Sequence, residues 1–191
     1  MRWLTPRGWL AAFAVGVATV YGCGWRGFAV LLAFFVSSSL LSKRHTLRTE
    51  RQVVANGGVA ALAALLGNWP AFAGSLAAAT PDTWATEIGR RSPTPPRLVT
   101  NWTPVPAGTD GGMTVLGTLG GIAGAGFMAG TSYLLGNRWV PAVALAGALG
   151  MLLDSILGAT VQGKVRWMDN DAVNLAATLS GAVVAGLLTG T

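Results

Sequence analysis

Charged residues are scarce in this 191-residue sequence. They make up 10% of the chain, whereas a soluble domain carries about 25%. The chain has one histidine and one cysteine, Cys23, which excludes an intrachain disulfide framework and the usual Cys/His zinc spacings. Hydrophobic residues account for 52% of the sequence, and they lie in long apolar runs that are typical of membrane-spanning helices. Composition therefore predicts an integral membrane protein.

Acidic residues are scarcer than basic ones, seven against thirteen, and the formal net charge is +6. The basic residues do not cluster with aromatic residues in a polar segment of the sequence, so we expect no nucleic-acid partner. Basic loops that hold the orientation of a membrane protein in the bilayer explain the sign of the charge better.

Seven apolar segments predict an all-α polytopic helix bundle, one membrane domain over 1–191 with about seven spans. The N-terminal segment resembles a signal peptide, but no convincing cleavage site follows it, so we expect it to stay as the first span. The segments are 8–22, 26–42, 52–67, 70–88, 113–135, 139–158 and 172–190.

The apolar run 53–79 allows two interpretations. It is either one long helix kinked at Pro70 or two short helices broken at Gly-Asn-Trp-Pro, 67–70. With two helices and a cytoplasmic N-terminus, eleven basic residues face the cytoplasm and two, Arg26 and Arg138, face outward; with one helix the split is seven to six. The positive-inside bias favours two short helices, 52–67 and 70–88. We expect the protein to lie in the cytoplasmic membrane of a bacterium or archaeon.

In this topology, polar residues collect at the cytoplasmic ends of five helices. Carboxylates are costly inside a bilayer and usually face a cavity, so the cluster predicts a site that faces the cytoplasm. The polar residues are Arg51, Gln52, Asn56, Asp82, Thr86, Glu87, Thr109, Asp110, Asp154, Ser155, Gln162, Asn170, Asp171 and Asn174.

Structural roles explain some of these residues equally well. Asp82 and Asp110 are each placed to cap a helix. Asp82 and Glu87 lie about 140° apart on a regular helix, so one ion would need an unwound turn near Pro81 to bind both. The glycine-rich stretch 108–112 resembles a phosphate-binding turn before a helix, although it lacks the spacing of a P-loop. The Pro/Gly-rich loop 90–111 is long enough to form a lid or rim over the site.

Carboxylates, amides, arginines and glycines in this arrangement suit phosphate chemistry. Carboxylates hold Mg²⁺, which bridges phosphates, while arginines and backbone N–H groups bind the phosphate oxygens. Phosphoryl transfer needs mainly positioning and charge neutralisation. The residues alone predict Mg²⁺-dependent phosphate chemistry on a lipid, at the cytoplasmic face of the membrane.

Five motifs in order carry a family resemblance: RQVVANGG (51–58), DTWATEIG (82–89), GTDGGMT (108–114), DSILGAT (154–160) and N-x-x-x-N (170–174). Over about residues 45–190 the chain resembles the integral membrane family first called domain of unknown function 92. That family includes transmembrane protein 19 and the phytyl-phosphate kinase of vitamin E synthesis. Pro81 stands where the pattern has a small or acidic residue.

The resemblance implies that a nucleoside triphosphate, with CTP favoured, phosphorylates an isoprenoid monophosphate such as a phytyl, geranylgeranyl or farnesyl phosphate to the diphosphate. Asp82, Glu87 and Asp154 would be catalytic and, with Asp110, would hold Mg²⁺. The phosphate-binding residues would be Arg51, Gln52, Asn56, Thr86, Thr109, Gly111, Gly112, Lys164 and Asn174.

Two other functions remain open from the sequence. Broken helices and intramembrane acids also mark transporters and channels, although the acids here cluster at one face and no inverted repeat is visible. A cytidylyltransferase or a phosphatase would use the same kind of metal site. Neither the length of the lipid chain nor the oligomeric state follows from the sequence.

Overall fold

The protein is a helix bundle. The computed structural model describes residues 3–42 and 47–190, so Arg2, Lys43 and Arg44, which entered the charge comparison, lie outside the described residues. The elements are α1 Pro6–Leu41, α2 Glu50–Leu65, α3 Trp69–Gly89, β1 Arg97–Leu98, β2 Gly112–Met113, α4 Val115–Leu134, α5 Val140–Thr160 and α6 Asn170–Thr189.

Four of the helices, α1, α4, α5 and α6, are long and apolar enough to cross a membrane. This confirms the predicted helical membrane protein. The loop between α3 and α4 carries the two short strands, which pair antiparallel.

Helix α1 turns back on itself at Gly24. This residue has φ 64° and ψ −167°, a conformation that glycine adopts without a steric penalty. A straight helix of 36 residues would be about 54 Å long, yet the rings of Trp3 and Phe35 lie 5.6 Å apart, edge to face. The two halves of α1 therefore lie side by side, as the separate segments 8–22 and 26–42 predicted.

The chain also breaks between α2 and α3, where the sequence predicted it. Gly67 has φ 68°, and Asn68 caps α3 by accepting the backbone N–H of Ala71 at 2.9 Å. Pro70 lies in the first turn of α3, where it removes no helical hydrogen bond. At the other end of α2, Thr49 and Gln52 form a capping box.

Helix α3 is the centre of the bundle. Every residue from Pro70 to Pro81 is buried, and α3 contacts all five other helices. Close approach depends on glycine: a Cβ at Gly147 would lie 2.6 Å from the carbonyl oxygen of Ala77. The helix continues through Pro81, so the unwound turn that would join Asp82 to Glu87 is absent. Its packed neighbours hold the helix although Pro81 cannot donate to Ala77.

Most connections lie at two opposite ends of the bundle. The Thr5 backbone N–H donates to the Arg48 carbonyl at 3.0 Å, and Arg51 pairs with Asp169 at 2.6 Å. These contacts bring 3–5, 47–50 and 161–169 to the same end as the loop 90–114, and we call this the polar end. Gly24, the turn 66–68 and the connection 135–139 lie at the opposite end.

Candidate functional site

An open cavity of about 590 Å³ lies at the polar end, between α3, α4, α5 and the loop 90–114. We call it the acid cavity because Asp82, Asp110 and Asp154 line it. Other predicted site residues that line it are Thr86, Thr109, Gly111 and Gly112, and three further polar residues named from the sequence, Ser155, Gln162 and Asn170, line it as well.

One face of α3 forms the first wall of the acid cavity. Asp82, Ala85, Thr86, Gly89 and Arg90 line it, and their spacing of three, one, three and one residues places them on one side of a helix. The buried half of α3 anchors this face in the bundle. The last two turns of the helix therefore present a carboxylate, a hydroxyl and a guanidinium in a row.

Helix α5 forms the opposite wall by the same spacing. Met151, Asp154, Ser155 and Gly158 line the cavity and share one helical face. Asp154 is half-buried and lies less than two turns from the end of α5. The structure thus brings together two carboxylates that are 72 residues apart in the sequence.

The glycine-rich loop fits tightly against α5. Gly111 has φ 71°, and a Cβ there would lie 2.6 Å from the Ser155 carbonyl oxygen and would also clash with Ala159. Only glycine satisfies both constraints. This contact places Asp110 beside the α5 wall, on the same cavity as Asp154.

Negative charge accumulates in the acid cavity. Asp82, Asp110 and Asp154 line this one cavity, and like charges that share a site repel one another. Arg48, outside the helices, supplies one positive charge. Burial lowers the pKa of Arg48, and the negative charge of Asp82 raises it.

The matches to known proteins agree with these features. A family model described as an integral membrane protein, DUF92, covers residues 1–182. This chain belongs to the DUF92 family. The match begins well before residue 45, where the resemblance seen in the sequence begins, so the N-terminal helix also belongs to the family pattern.

DUF92 relatives of this chain occur in archaea, cyanobacteria and plants. An uncharacterised membrane protein of Methanocaldococcus jannaschii is 34% identical over 98% of this chain and 86% of that protein. One of Synechocystis is 32% identical over 95% of this chain and 81% of that protein. The chloroplastic protein VTE6 of Arabidopsis thaliana is 29% identical over 97% and 65%, respectively. No solved structure matches the chain significantly.

Glu87, which was predicted at the site, does not line the acid cavity. This side chain is buried on another face of α3, and its carboxylate accepts a hydrogen bond from Arg90 Nη1 at 2.9 Å. The reason is that α3 stays regular, so Glu87 points about 140° away from Asp82. In this structure Glu87 holds Arg90, which does line the cavity.

Five other predicted phosphate-binding residues lie outside the acid cavity. Arg51 pairs with Asp169 and Asp171, and this pairing joins the start of α2 to the start of α6. Lys164 Nζ donates to the Ala159 carbonyl at 2.8 Å, and Asn174 is buried in α6. Gln52 and Asn56 line a second cavity on the α1 side.

The Arg51 ion pair belongs to the surface of the bundle. Two hydrogen bonds hold the pKa of Asp169 below its usual range. The stronger effect comes from the Ala172 backbone N–H, and the next from the Arg51 side chain. Asp169 also caps α6, since it accepts the Ala172 N–H at 3.0 Å.

The glycine-rich loop does not present its amides as the sequence predicted. The Thr109 backbone N–H and side chain both donate to the Pro106 carbonyl, at 3.2 and 2.8 Å. The Gly112 N–H donates to the Thr109 carbonyl at 3.0 Å. Thr114, and neither Thr109 nor Asp110, caps α4 by accepting the Gly117 N–H. The loop is therefore a tight turn that positions Asp110.

The acid cavity fits Mg²⁺ in the presence of phosphates. Among the described residues, no group of three or more His, Cys, Asp or Glu side chains could hold a metal ion by itself. Mg²⁺ usually takes one or two carboxylates and completes its shell with water and substrate phosphates. Asp82 and Asp154, on facing walls with Asp110 beside them, provide that kind of ligand.

Two basic residues near the site were missed from the sequence. Arg90 lines the cavity, and the signal for it was the i, i+4, i+8 spacing of Asp82, Thr86 and Arg90. Arg48 was counted only among the basic residues that orient the chain in the bilayer. Its proximity to Asp82 arises from the packing of α1 and α2 against α3, for which the sequence has no local signal.

Proposed function

We propose that this chain is a membrane-embedded kinase that converts an isoprenoid monophosphate into the diphosphate. The donor would be a nucleoside triphosphate, with CTP favoured, and the reaction would need Mg²⁺. The observation that carries the proposal is the meeting of three carboxylates and Arg90 in one open cavity at the polar end of a membrane bundle. The family motifs at 82–89 and 108–114, which form two of its walls, support it.

The transfer itself makes few chemical demands. An oxygen of the acceptor phosphate attacks the γ-phosphorus of the donor, and the bond from that phosphorus to the β–γ bridging oxygen breaks. The lipid diphosphate and a nucleoside diphosphate leave. A phosphate monoester has a second pKa near 6, so its attacking oxygen is largely deprotonated at neutral pH and needs no strong general base.

The residues of the acid cavity would share the work of binding. Asp82 and Asp154 would hold Mg²⁺ with help from Asp110, and the bound ion would neutralise and bridge the phosphates. Arg90 would bind phosphate oxygens while Glu87 fixes its direction. Thr86 and Ser155 would donate hydrogen bonds from the two walls.

We further propose seven spans, with the polar end in the cytoplasm. Each half of α1 would cross the bilayer, and the short α2 and the central α3 would complete an up-and-down bundle. The basic residues support this orientation, because eight of the ten that the structure describes lie at or beside the polar end. Arg26, which lies beside Gly136, and Arg138 are at the other end. A soluble nucleotide would then reach the acid cavity from the cytoplasm.

The placement of the acids favours an enzyme over a transporter. Asp82 and Asp154 lie about two turns or less from the ends of α3 and α5, not at the middle of the bundle. Substrate sites of secondary transporters typically lie near the bilayer midplane.

Product analysis tests the proposal. Purified protein in lipid nanodiscs would be incubated with Mg²⁺, phytyl or geranylgeranyl monophosphate and each of the four nucleoside triphosphates. We expect the lipid diphosphate, detected by mass spectrometry, with the fastest formation from CTP. A free alcohol would indicate a phosphatase and a nucleotide-linked lipid would indicate a cytidylyltransferase, and either product would replace the kinase.

A further inference from the structure

The second cavity is an open apolar groove of about 800 Å³ along both halves of α1 and the first half of α2. We call it the aromatic groove; its walls include Trp9, Phe13, Trp25, Phe28, Leu32 and Phe35. Eight of the sixteen aromatic residues of the chain line it. Its volume falls within the range of about 300–1,000 Å³ that is typical of small-molecule sites.

The aromatic groove has one polar end. Arg48, Gln52 and Asn56 line it near the polar end of the bundle, whereas its far end lies at Tyr21 and Trp25. From the level of Leu4 to that of Trp25 a helix rises about 30 Å, the thickness of the hydrocarbon core. The groove therefore offers an apolar path across the bilayer that ends at a cation and two amides.

Arg48 lies at the polar end of the aromatic groove. It lines the aromatic groove, its guanidinium lies 5.7 Å from the centre of the Phe35 ring, and the charge of Asp82 in the acid cavity acts on it. Its side chain is half-buried and makes no hydrogen bond or ion pair within 4.0 Å to any described residue. A cation held in this way suits an anionic headgroup, whose oxygens accept its donors.

We propose that the aromatic groove binds the isoprenoid chain of the acceptor and that Arg48, with Gln52 and Asn56, binds its phosphate. The phosphate then lies at the polar end of the bundle, the end that also holds the acid cavity, where the donor nucleotide would bind. The identity of the lipid rests on the proposed function, while the position and polarity of the groove come from the structure alone.

The charges and the geometry favour this occupant. An isoprenoid monophosphate has one apolar chain and one strongly anionic end, which matches a groove with a single cationic end. Placing the headgroup at Arg48 also puts the acceptor phosphate at the same end of the bundle as the acid cavity, as transfer requires. A bilayer lipid in the groove is the competing occupant, and the experiment separates the two.

Photo-crosslinking without nucleotide or Mg²⁺ tests the inference independently of catalysis. The probe is geranylgeranyl monophosphate with a diazirine on its terminal isoprene unit, added to the full-length protein in phosphatidylglycerol nanodiscs. We expect labelled peptides within 9–36, and unlabelled geranylgeranyl monophosphate should compete. Labelling confined to α4–α6, or equal competition by added phosphatidylglycerol, would overturn the inference.

Two pairs of variants locate the chain and the headgroup. Val17→Trp fills the groove and should abolish specific labelling, whereas Val183→Trp, on the similarly exposed face of α6, should not. Arg48→Gln should weaken binding of the monophosphate about tenfold or more, as expected for a lost charge-assisted hydrogen bond, while Arg48→Lys retains part of it. Labelling by the matching geranylgeraniol probe should be unchanged in Arg48→Gln, which also shows that this variant is folded.

The outcomes distinguish this inference from the proposed function. Specific, phosphate-dependent labelling of α1 in a protein that forms no diphosphate would retain the lipid site and refute the kinase. Diphosphate formation with labelling outside the groove would retain the kinase and refute this lipid site. Equal labelling of wild type and Val17→Trp would also refute it.

Discussion

The acid cavity and the aromatic groove are neighbours with opposite chemistry. The acid cavity is lined by three of the seven acidic residues of the chain, whereas no acidic residue lines the groove. The first is built from α3, α4 and α5, whose glycines allow close packing. The second is built mainly from α1, which folds back at Gly24 and carries seven of the sixteen aromatic residues. Arg48 lies at the polar end of the groove.

This difference indicates a division of work between the two regions. Charged groups act through position, so the acid cavity needs a rigid frame, and the buried half of α3 provides it. An apolar chain that enters from the bilayer is bound by many weak van der Waals contacts, so the groove tolerates modest changes of shape. Substitutions in the acid cavity should therefore have large effects on rate. Substitutions that only trim an apolar wall of the groove, unlike the groove-filling Val17→Trp, should have small effects on lipid binding.

The largest effect is expected from loss of a carboxylate in the acid cavity. Asp154→Asn, or Asp82→Asn, should lower kcat by about 10²- to 10³-fold, the range seen when a preorganised charged or polar group is removed from a site. Steady-state diphosphate formation measures it. Glu50→Gln, a partly exposed acid outside both cavities, is the control and should stay within about twofold of wild type. Equal losses in all three variants would contradict a specific role for the cavity.

The fit of the glycine-rich loop should have the next largest effect. Gly111→Ala pushes a methyl group against Ser155 and Ala159 and should displace Asp110, lowering kcat about 10- to 100-fold. Gly108→Ala is matched to it, because Gly108 also has a positive φ but nothing lies within 4 Å of an added Cβ. Gly108→Ala should show only the backbone strain, as a small fall in melting temperature. Similar kcat values for the two variants would show that the contact with α5 is unimportant.

Arg90 should matter for binding of the donor. Arg90→Gln should raise KM for the nucleotide about tenfold, since one charge-assisted hydrogen bond to a phosphate is lost. The neighbouring Arg91 is exposed and does not line the cavity, so Arg91→Gln should leave KM unchanged. Glu87→Gln should produce part of the Arg90 effect, because Glu87 only orients that side chain.

The smallest effect is expected in the aromatic groove. Phe13→Leu removes part of an apolar wall and should raise KM for the lipid about threefold, with kcat unchanged. Initial rates at varied lipid concentration measure both values. A large fall in kcat from this substitution would remove the distinction between the two regions.

The helices could be predicted from the sequence because their signals are local. Apolar runs, Gly67 followed by Asn68 and Pro70, and the gap around Gly24 place the helix ends within a few residues. Asp82, Thr86 and Asp154 were predicted at the site, because carboxylates and hydroxyls near the ends of apolar helices have few other uses. Each of these inferences depends on neighbours in the chain.

The contacts between distant elements could not be predicted. Arg51 was predicted to bind phosphate, but it forms an ion pair with Asp169, 118 residues away in the sequence. The backbone amides of 108–112 were predicted to bind an anion, but two of them donate hydrogen bonds to carbonyls within the turn. Glu87 was assigned to a metal because the regularity of α3 at Pro81 depends on tertiary packing, whereas its i+3 partner Arg90 is a local feature of the sequence. Such choices are decided by the bundle and not by local spacing.

Transfer of label from donor to lipid tests the central claim most directly. The protein would be incubated with Mg²⁺, geranylgeranyl monophosphate and CTP labelled at the γ-phosphate, beside Asp82→Asn of equal melting temperature. We predict that the γ-label appears in geranylgeranyl diphosphate with wild-type protein and is absent with the variant. The account would be contradicted if wild-type protein leaves the γ-label in the nucleotide with every one of the four triphosphates.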